Sequence, residues 1–177
     1  MTSITEIREC EITARQHAQL ADLRNASFPD HQKQRSYYKQ LPHARLIAHD
    51  GDTLVGQLGI DHRVISVGGN ALTIFGVIDV CVRDTARSRG IGSSLLVRCL
   101  ERASACAIDY VILLADDQRL YRSHGFVSVH ATCAWLRIDE FRSLGMAVEP
   151  LEGELMIKRT GHKEWPEGLV DFLGYLF

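Results

Sequence analysis

The sequence predicts a mixed α/β (α+β) fold in which a central mixed, mostly antiparallel sheet carries helices on both faces. Three observations lead there. Apolar stretches between Leu46 and Val82 read as two consecutive hairpins. Leu95, Leu96, Cys99, Leu100 and Ala103 recur at helical spacing on one face of a segment from about Ile91 to Ala105. Tyr110-Val111-Ile112-Leu113-Leu114 is a compact apolar strand just after it. Strand, helix and strand in that order need a crossover, and hence parallel pairing of the flanking strands, while the hairpins supply antiparallel pairs.

From the N-terminus, Ile7 to Ile12 is predicted as a short strand. Thr13 is placed to cap a helix that runs through Leu20 and Leu23 and stops before Pro29. The polar stretch Asp30 to Lys39 is a loop or a short helix. The first hairpin turns at Asp50-Gly51-Asp52 and restarts at Leu54-Val55; the second runs from Leu58 to Val67, turns at Gly68-Gly69-Asn70 and returns through Ala71 to Val82. Beyond the Tyr110 strand, Asp117 to His124 reads as a short helix closed by Gly125. Further strands are predicted at Phe126 to His130, Thr132 to Leu136 and Glu154 to Lys158, with a short helix starting at Asp139 and carrying Phe141 and Leu144. The apolar tail from Leu169 to Phe177 is predicted to pack, because a free terminus is ordinarily polar and frayed. It suits either a pocket wall or a contact in a homodimer.

The 177 residues, 46% hydrophobic and 24% charged, without internal repeats, suit one domain over residues 1–177. Twenty Lys and Arg against 22 Asp and Glu remove any general electrostatic drive toward nucleic acid or an anionic membrane, so neither is expected as a partner. No apolar run approaches membrane-spanning length, and the first residues lack the basic flank and apolar core of a leader. The five cysteines are scattered and mostly set in apolar stretches, which predicts buried thiols in a reducing, cytoplasmic compartment rather than a disulfide framework. No His, Cys, Asp or Glu set has metal-ligand spacing, so no metal is expected.

The chemistry is concentrated at Arg87-Ser88-Arg89-Gly90-Ile91-Gly92-Ser93-Ser94, where a long strand gives way to the amphipathic helix. Glycines there let the backbone approach a ligand closely. A helix N-terminus presents unpaired N–H groups and partial positive charge, and two arginines and two hydroxyls add donors suited to a diphosphate. The pattern is neither a Walker loop nor a full G-x-G-x-x-G fingerprint, and alone it also fits a structural strand-to-helix turn.

Its context is more specific. The stretch from Val77-Ile78-Asp79-Val80-Cys81-Val82-Arg83 through Leu95-Leu96 to Leu120-Tyr121-Arg122-Ser123-His124-Gly125-Phe126 resembles the GNAT acetyltransferase superfamily over roughly Leu46 to Phe126. The resemblance implies the GNAT fold, acetyl-CoA as cosubstrate, and a small-molecule amine as acceptor. It implies cofactor contacts from Val80, Cys81 and Val82 and from Arg87, Ser88, Arg89, Gly90, Ile91, Gly92 and Ser93. One departure stands out: many members carry an asparagine several positions before the Leu-Tyr pair, where this chain has Leu114-Ala115-Asp116-Asp117-Gln118-Arg119.

Acetyl transfer to an amine needs a deprotonated nucleophile, donors for the developing oxyanion and a proton for the leaving thiolate. The resemblance assigns the donors to the backbone around Val80, Cys81 and Val82 and the acid to Tyr121. Asp79 is the candidate base, directly or through water, because it interrupts the apolar run Ile74 to Val80, where an unpaired carboxylate is costly. Alternation places it on the face of Val77 and Cys81. The competing readings are a solvent-facing aspartate or one paired to a structural arginine. The histidines, His124 included, read as solvated or structural. Cys81 reads as packing rather than as an acyl carrier, since no histidine partners it.

At a finer level the hairpin entering Val77-Ile78-Asp79-Val80, the Arg119-Leu120-Tyr121 segment and the aromatic end look like the aminoglycoside 2′-N-acetyltransferases. That resemblance implies an acceptor set of Asp30, Asp79, Glu152 just before the Gly153 that opens the late strand, and the carboxylate of Phe177. The segment Glu164-Trp165-Pro166-Glu167-Gly168-Leu169-Val170-Asp171 is similar to one near the end of nodulation-type N-acyltransferases. Both point to an amino group on a sugar. Protein, peptide or polyamine acceptors, a longer acyl chain, and a coenzyme A-binding module without catalysis are the alternatives.

Overall fold

A computed structural model describes residues Thr2–Phe177. The elements are β1 (Thr2–Arg8), α1 (Ala14–Ser27), β2 (Ala44–Asp50), β3 (Thr53–Val67), β4 (Asn70–Val82), α2 (Ile91–Ala105), β5 (Tyr110–Leu114), α3 (Arg119–Ser123), β6 (Val127–Asp139), β7 (Arg142–Arg159) and β8 (Val170–Tyr175). The chain forms two compact units, one made of residues up to Asp61 with Val77–Cys99, the other of His62–Gly76 with Leu100–Phe177. β3, β4 and α2 are continuous elements with residues in both.

In the first unit β1, β2 and the first part of β3 pair antiparallel, with Ile4 opposite Ala48 and Leu46 opposite Leu58. α1 starts at Thr13, as its sequence predicts, and the cap is reciprocal. The Thr13 hydroxyl accepts from the Gln16 N–H at 3.3 Å, and the Gln16 side chain accepts from the Thr13 N–H at 2.9 Å. Leu20 and Leu23 of α1 are fully buried with Ile12, Ile47, Leu54 and Cys81, the core that backs the end of β4.

In the second unit the start of β4 pairs in parallel with β5, Ile74 opposite Tyr110, as the crossover requires. β5 then pairs antiparallel with β7, β7 antiparallel with β6, and β6 in parallel with β8. Ile65, Leu72, Ile74, Ile112, Leu155 and Phe172 form much of its core, with Trp135, Trp165 and Phe177 packed against it. The C-terminal tail therefore packs, within this unit, as β8 and the two residues beyond it.

Several predicted elements are corrected. The first strand begins at Thr2, and Glu9–Glu11 form a 3-10 turn, so Ile7 to Ile12 is not one strand. The segments at Phe126 and Thr132 are one strand with a register shift between Val129 and His130. No helix starts at Asp139. Glu140, at φ +49, turns β6 into β7, whose Leu144, Met146 and Val148 alternate in an exposed row. Gly153 lies inside β7 rather than opening a strand. Of the cysteines predicted as buried, Cys10 and Cys106 are exposed. Among the described residues no helix is long and apolar enough to cross a membrane.

Candidate active site

In the first unit, β4 ends at Val82, and the Arg83 N–H donates to the Val55 carbonyl at 2.9 Å, tying the exit of the strand to β3. Residues 84–86 make a 3-10 turn, and Ser88 (φ +61) and Gly90 (φ +76) then adopt left-handed backbone. The first bond into α2 runs from the Ser94 N–H to the Gly90 carbonyl at 2.9 Å. The preceding N–H groups of that first turn have no helical acceptor, and they carry the positive end of the helix dipole. Gly90 has open space where a Cβ would stand, so its backbone is accessible as well as left-handed. Arg87 pairs with Asp84 at 2.9 Å and Arg89 with Asp50 at 2.8 Å, all in solvent-facing positions. The Arg89 guanidinium holds the Asp50 carboxyl below the usual carboxylate range. Such surface pairs are worth little on their own, so a bound diphosphate would compete for both guanidiniums. The residues present fit a coenzyme A pyrophosphate.

Upstream on β4, Asp79 has φ +48. A left-handed residue inside a strand interrupts the regular alternation of faces, yet Asp79 and Cys81 both meet α1 as expected, Asp79 at Arg24 and Cys81 against Leu20 and Leu23. Its carboxylate is paired: Arg24 Nε of α1 donates to Asp79 Oδ2 at 3.1 Å, leaving Oδ1 as the oxygen able to take a proton. Burial pushes the Asp79 carboxyl above the usual carboxylate range, while the Arg24 guanidinium and, more weakly, Arg45 pull the other way. An aspartate so tuned is a stronger base near neutral pH than an exposed one.

Cys81 is buried beside it, and burial, followed by the Asp79 charge, pushes its thiol up to about 12. It stays a thiol at neutral pH. Gln57 reaches its sulfur at 3.9 Å, and Gln57 in turn accepts from Arg45 Nη1 at 2.7 Å. Arg45 is 1% exposed and grips Glu9 through two bonds of 2.7 and 2.9 Å. This buried polar group stiffens β4 around Val80, Cys81 and Val82, where the oxyanion donors are assigned. Asp30 stands exposed in the 3-10 turn Pro29–His31.

In the second unit, the Leu120-Tyr121…Gly125-Phe126 spacing has a direct structural cause. The Phe126 N–H donates to the Tyr121 carbonyl at 3.1 Å and the Gly125 N–H to that of Arg122 at 3.0 Å, with Gly125 at φ +78. This is a Schellman ending of α3. It brings the Tyr121 and Phe126 rings edge-to-face at 6.0 Å and fixes the half-buried tyrosine. His124 caps the same helix, its Nδ1 2.8 Å from the Leu120 carbonyl, a structural role.

Glu152 lines an open cavity of about 410 Å³ with Asp116, Glu154 and His130. The register shift opposite Val129 and His130, with Gly153 at φ +116, gathers these side chains. The Gln118 amide donates to the Gly153 carbonyl at 2.7 Å and accepts from Arg122 and Ser128, forming one wall. Phe177 lies against Gly76 and, edge-on at 5.7 Å, against Phe172. Trp165 packs edge-on against Tyr110 at 5.1 Å. Among the described residues no group of three or more His, Cys, Asp and Glu side chains is arranged to hold a metal ion.

Arg24, Arg45, Asp116, Glu154 and His130 escaped the sequence reading. Arg24 alone left a trace: it sits four residues after Leu20, on the buried stripe of α1, where an arginine requires an acidic partner.

Residues 7–129 match the family described as Acetyltransferase (GNAT) domain. No curated protein matches the chain. Among solved structures, the chain is similar to the GNAT family N-acetyltransferase YhbS of Escherichia coli in complex with CoA, at 19% identity and a TM-score of 0.65, over 96% of this chain and 88% of that one. It is also similar to a GNAT family acetyltransferase of Brucella melitensis in complex with acetyl-CoA, at 16% identity and a TM-score of 0.61, over 95% and 94%. Eis1 of Mycobacterium abscessus, at 18% identity and a TM-score of 0.59, is covered over only 33% of its length, against 76% of this chain. The chain likewise spans 34% of a Kribbella flavida GCN5-related N-acetyltransferase. These likenesses are of fold.

Proposed function

The chain belongs to the acetyltransferase (GNAT) domain family, and on that premise we propose that it transfers the acetyl group of acetyl-coenzyme A to an amine of a small cationic aminosugar, an aminoglycoside in the first instance, at its 2′-amine. The observation that carries the reading is the succession within one unit of a partly buried, arginine-paired Asp79 and a loop, left-handed at Ser88 and Gly90, that opens α2. When bound, acetyl-coenzyme A supplies an activated acyl thioester. The N–H groups that open α2, with Arg87 and Arg89, hold its pyrophosphate. Asp79 Oδ1 takes a proton from the acceptor amine, directly or through water. The backbone of Val80–Val82 offers donors for developing negative charge, and the Tyr121 hydroxyl donates the proton for the leaving sulfur.

The cationic acceptor is supported by the cavity of the second unit, where Asp116, Glu152 and Glu154 outnumber the one arginine, Arg122; Asp30 is exposed in the first unit. A focused negative potential would concentrate a polycation on a chain whose net charge is only −2. The Phe177 carboxylate belongs to this acceptor set. Incubation with acetyl-coenzyme A and a panel of aminoglycosides, polyamines and peptides, read by thiol release, tests the reading. Turnover of tobramycin or another 2′-amino compound is expected. Turnover of peptides alone would overturn the aminosugar acceptor, and coenzyme A binding with no turnover on any amine would overturn catalysis.

A further inference from the structure

Arg24 is a buried, charged side chain of the first unit that the mechanism does not yet use. It is 2% exposed and stands on the buried stripe of α1 beside Leu20 and Leu23. A guanidinium in such a place costs more than a leucine would unless its charge and donors are met, so its retention there asks for a role beyond stability. Two of its nitrogens donate and two rings lie near its guanidinium. Nε donates to Asp79 Oδ2 at 3.1 Å, Nη1 donates to the His31 carbonyl at 2.8 Å, and the guanidinium lies 5.6 Å from the Phe28 ring centre and 5.2 Å from that of Tyr38.

We propose that Arg24 is a positioning residue that fixes the Asp79 carboxylate and ties it to the Phe28–Tyr38 segment carrying Asp30. The inference rests on the reading of Asp79 as the base. One end of the guanidinium holds the carbonyl next in sequence to Asp30, and the other holds the carboxylate on β4. An acceptor amine drawn onto Asp30 therefore meets a segment already linked to Asp79 through one rigid, planar group. The aromatic rings of Phe28 and Tyr38 keep that plane from turning. The charged and titratable groups facing Asp79 are Arg24 from α1, Arg45 from β2 and Cys81 on β4 itself. Among the described residues, Arg24 alone makes a direct side-chain bond to the carboxylate. Removing its charge leaves burial less opposed, so the carboxylate would hold its proton to higher pH.

Three variants separate charge from geometry: Arg24→Gln, Arg24→Lys and Asp79→Asn, each checked first by thermal melting. Asp79 is titrated directly by NMR on protein labelled with carbon-13 at the aspartate carboxyls, its signal assigned by its loss in Asp79→Asn. The pH profile of kcat/KM is measured with acetyl-coenzyme A and tobramycin. In Arg24→Gln the Asp79 titration and the acid limb of kcat/KM are expected to move up together by about 1–3 pH units. In Arg24→Lys the titration should stay close to the parent while kcat/KM falls roughly 10-fold, because the charge survives and the fork does not. The KM for acetyl-coenzyme A should not change in either.

An unshifted Asp79 titration in Arg24→Gln, or full kcat/KM in Arg24→Lys, would overturn the role of Arg24. Should Arg24→Gln fail to fold, the Arg24→Lys arm decides. Parental turnover in Asp79→Asn would overturn the base reading and this inference with it. Failure of the parent protein to acetylate tobramycin would overturn the aminosugar acceptor alone, and the NMR titration would still decide Arg24.

Discussion

The ring of Phe177 lies so close to Gly76 that a Cβ added at residue 76 would fall 2.5 Å from Phe177 Cε1. The same ring meets Phe172 edge-on and lies 5.2 Å from the Arg63 guanidinium, which also donates to the Tyr175 carbonyl at 2.7 Å. The last residue is thereby held by a strand glycine and an arginine. Gly76→Ala must expel the ring. The cost to folding should be about 1–3 kcal/mol, the range for overpacking a filled site. Deleting Phe177 in that background should cost less than the two changes summed, since the clash leaves with the ring. Thermal melting of the two single variants and the double variant measures this. If the terminal carboxylate holds the acceptor, both single variants raise its KM and leave that of acetyl-coenzyme A unchanged.

Tyr121 owes its position to the ending of α3, so its hydroxyl and its placement can be tested separately. Tyr121→Phe keeps the ring on Phe126 and removes only the proposed acid. A loss of about 10²-fold in kcat, with cofactor affinity intact, is expected for a general acid. Equal kcat would remove Tyr121 from the mechanism. Gly125→Ala instead forces an alanine to φ +78, at about 1–2 kcal/mol, and loosens the turn that presents the ring. It should lower both kcat and melting temperature.

Legibility in the sequence followed how local each signal was. α2 and β5 have the predicted bounds because helical and strand periodicities there are dense and the flanking loop is rich in glycine. The Thr13 cap was readable because a threonine stands just ahead of the helical stripe of Leu20 and Leu23, while its reciprocal partner Gln16 emerged only in the structure. The segment after Asp139 failed because Phe141 and Leu144 are three apart, as in a helix. Pairing with β6, Leu136 opposite Met146 and Ala134 opposite Val148, made the period-2 row Leu144, Met146, Val148 decisive. The left-handed backbone at Asp79 carries no glycine to announce it, and its partner Arg24 is 55 residues away. Glu152 was named from resemblance, but its neighbours Asp116, Glu154 and His130 meet only through a register shift that pattern cannot show.

The cysteines divide by burial in a way that decides between two routes of transfer. Burial pushes the thiols of Cys81 and Cys99 up to about 12 and that of Cys133 up to about 11, while Cys10 and Cys106 are exposed. A disulfide reagent at pH 8 should therefore modify Cys10 and Cys106 promptly and the other three only on unfolding. Cys81→Ala should retain most of the acetyltransfer. An acetyl group found on Cys81 by mass spectrometry, together with an inactive Cys81→Ala, would instead establish an acyl-enzyme.

Asp109 links the start of β5 to β4 and gives stability a defined pH dependence. Its Oδ2 accepts from the Thr73 N–H at 2.8 Å, the Thr73 hydroxyl at 2.9 Å and Lys163 Nζ at 3.0 Å. Burial pushes the carboxyl up, but the Thr73 amide, Lys163 and the Thr73 hydroxyl outweigh it and hold it below the usual carboxylate range. A group depressed in the folded state binds its proton more readily when unfolded. Its contribution is complete above the unfolded value of about 4 and is lost as pH falls through the folded value. Asp109→Asn should cost about 1–3 kcal/mol at pH 7, the range for losing hydrogen bonds to a buried charged group. Denaturant titrations at pH 7, 5 and 3 should give the same difference from the parent at pH 7 and 5 and a smaller one at pH 3. A difference undiminished at pH 3 would show that the geometry of the three bonds, rather than the charge on Asp109, holds the two strands together.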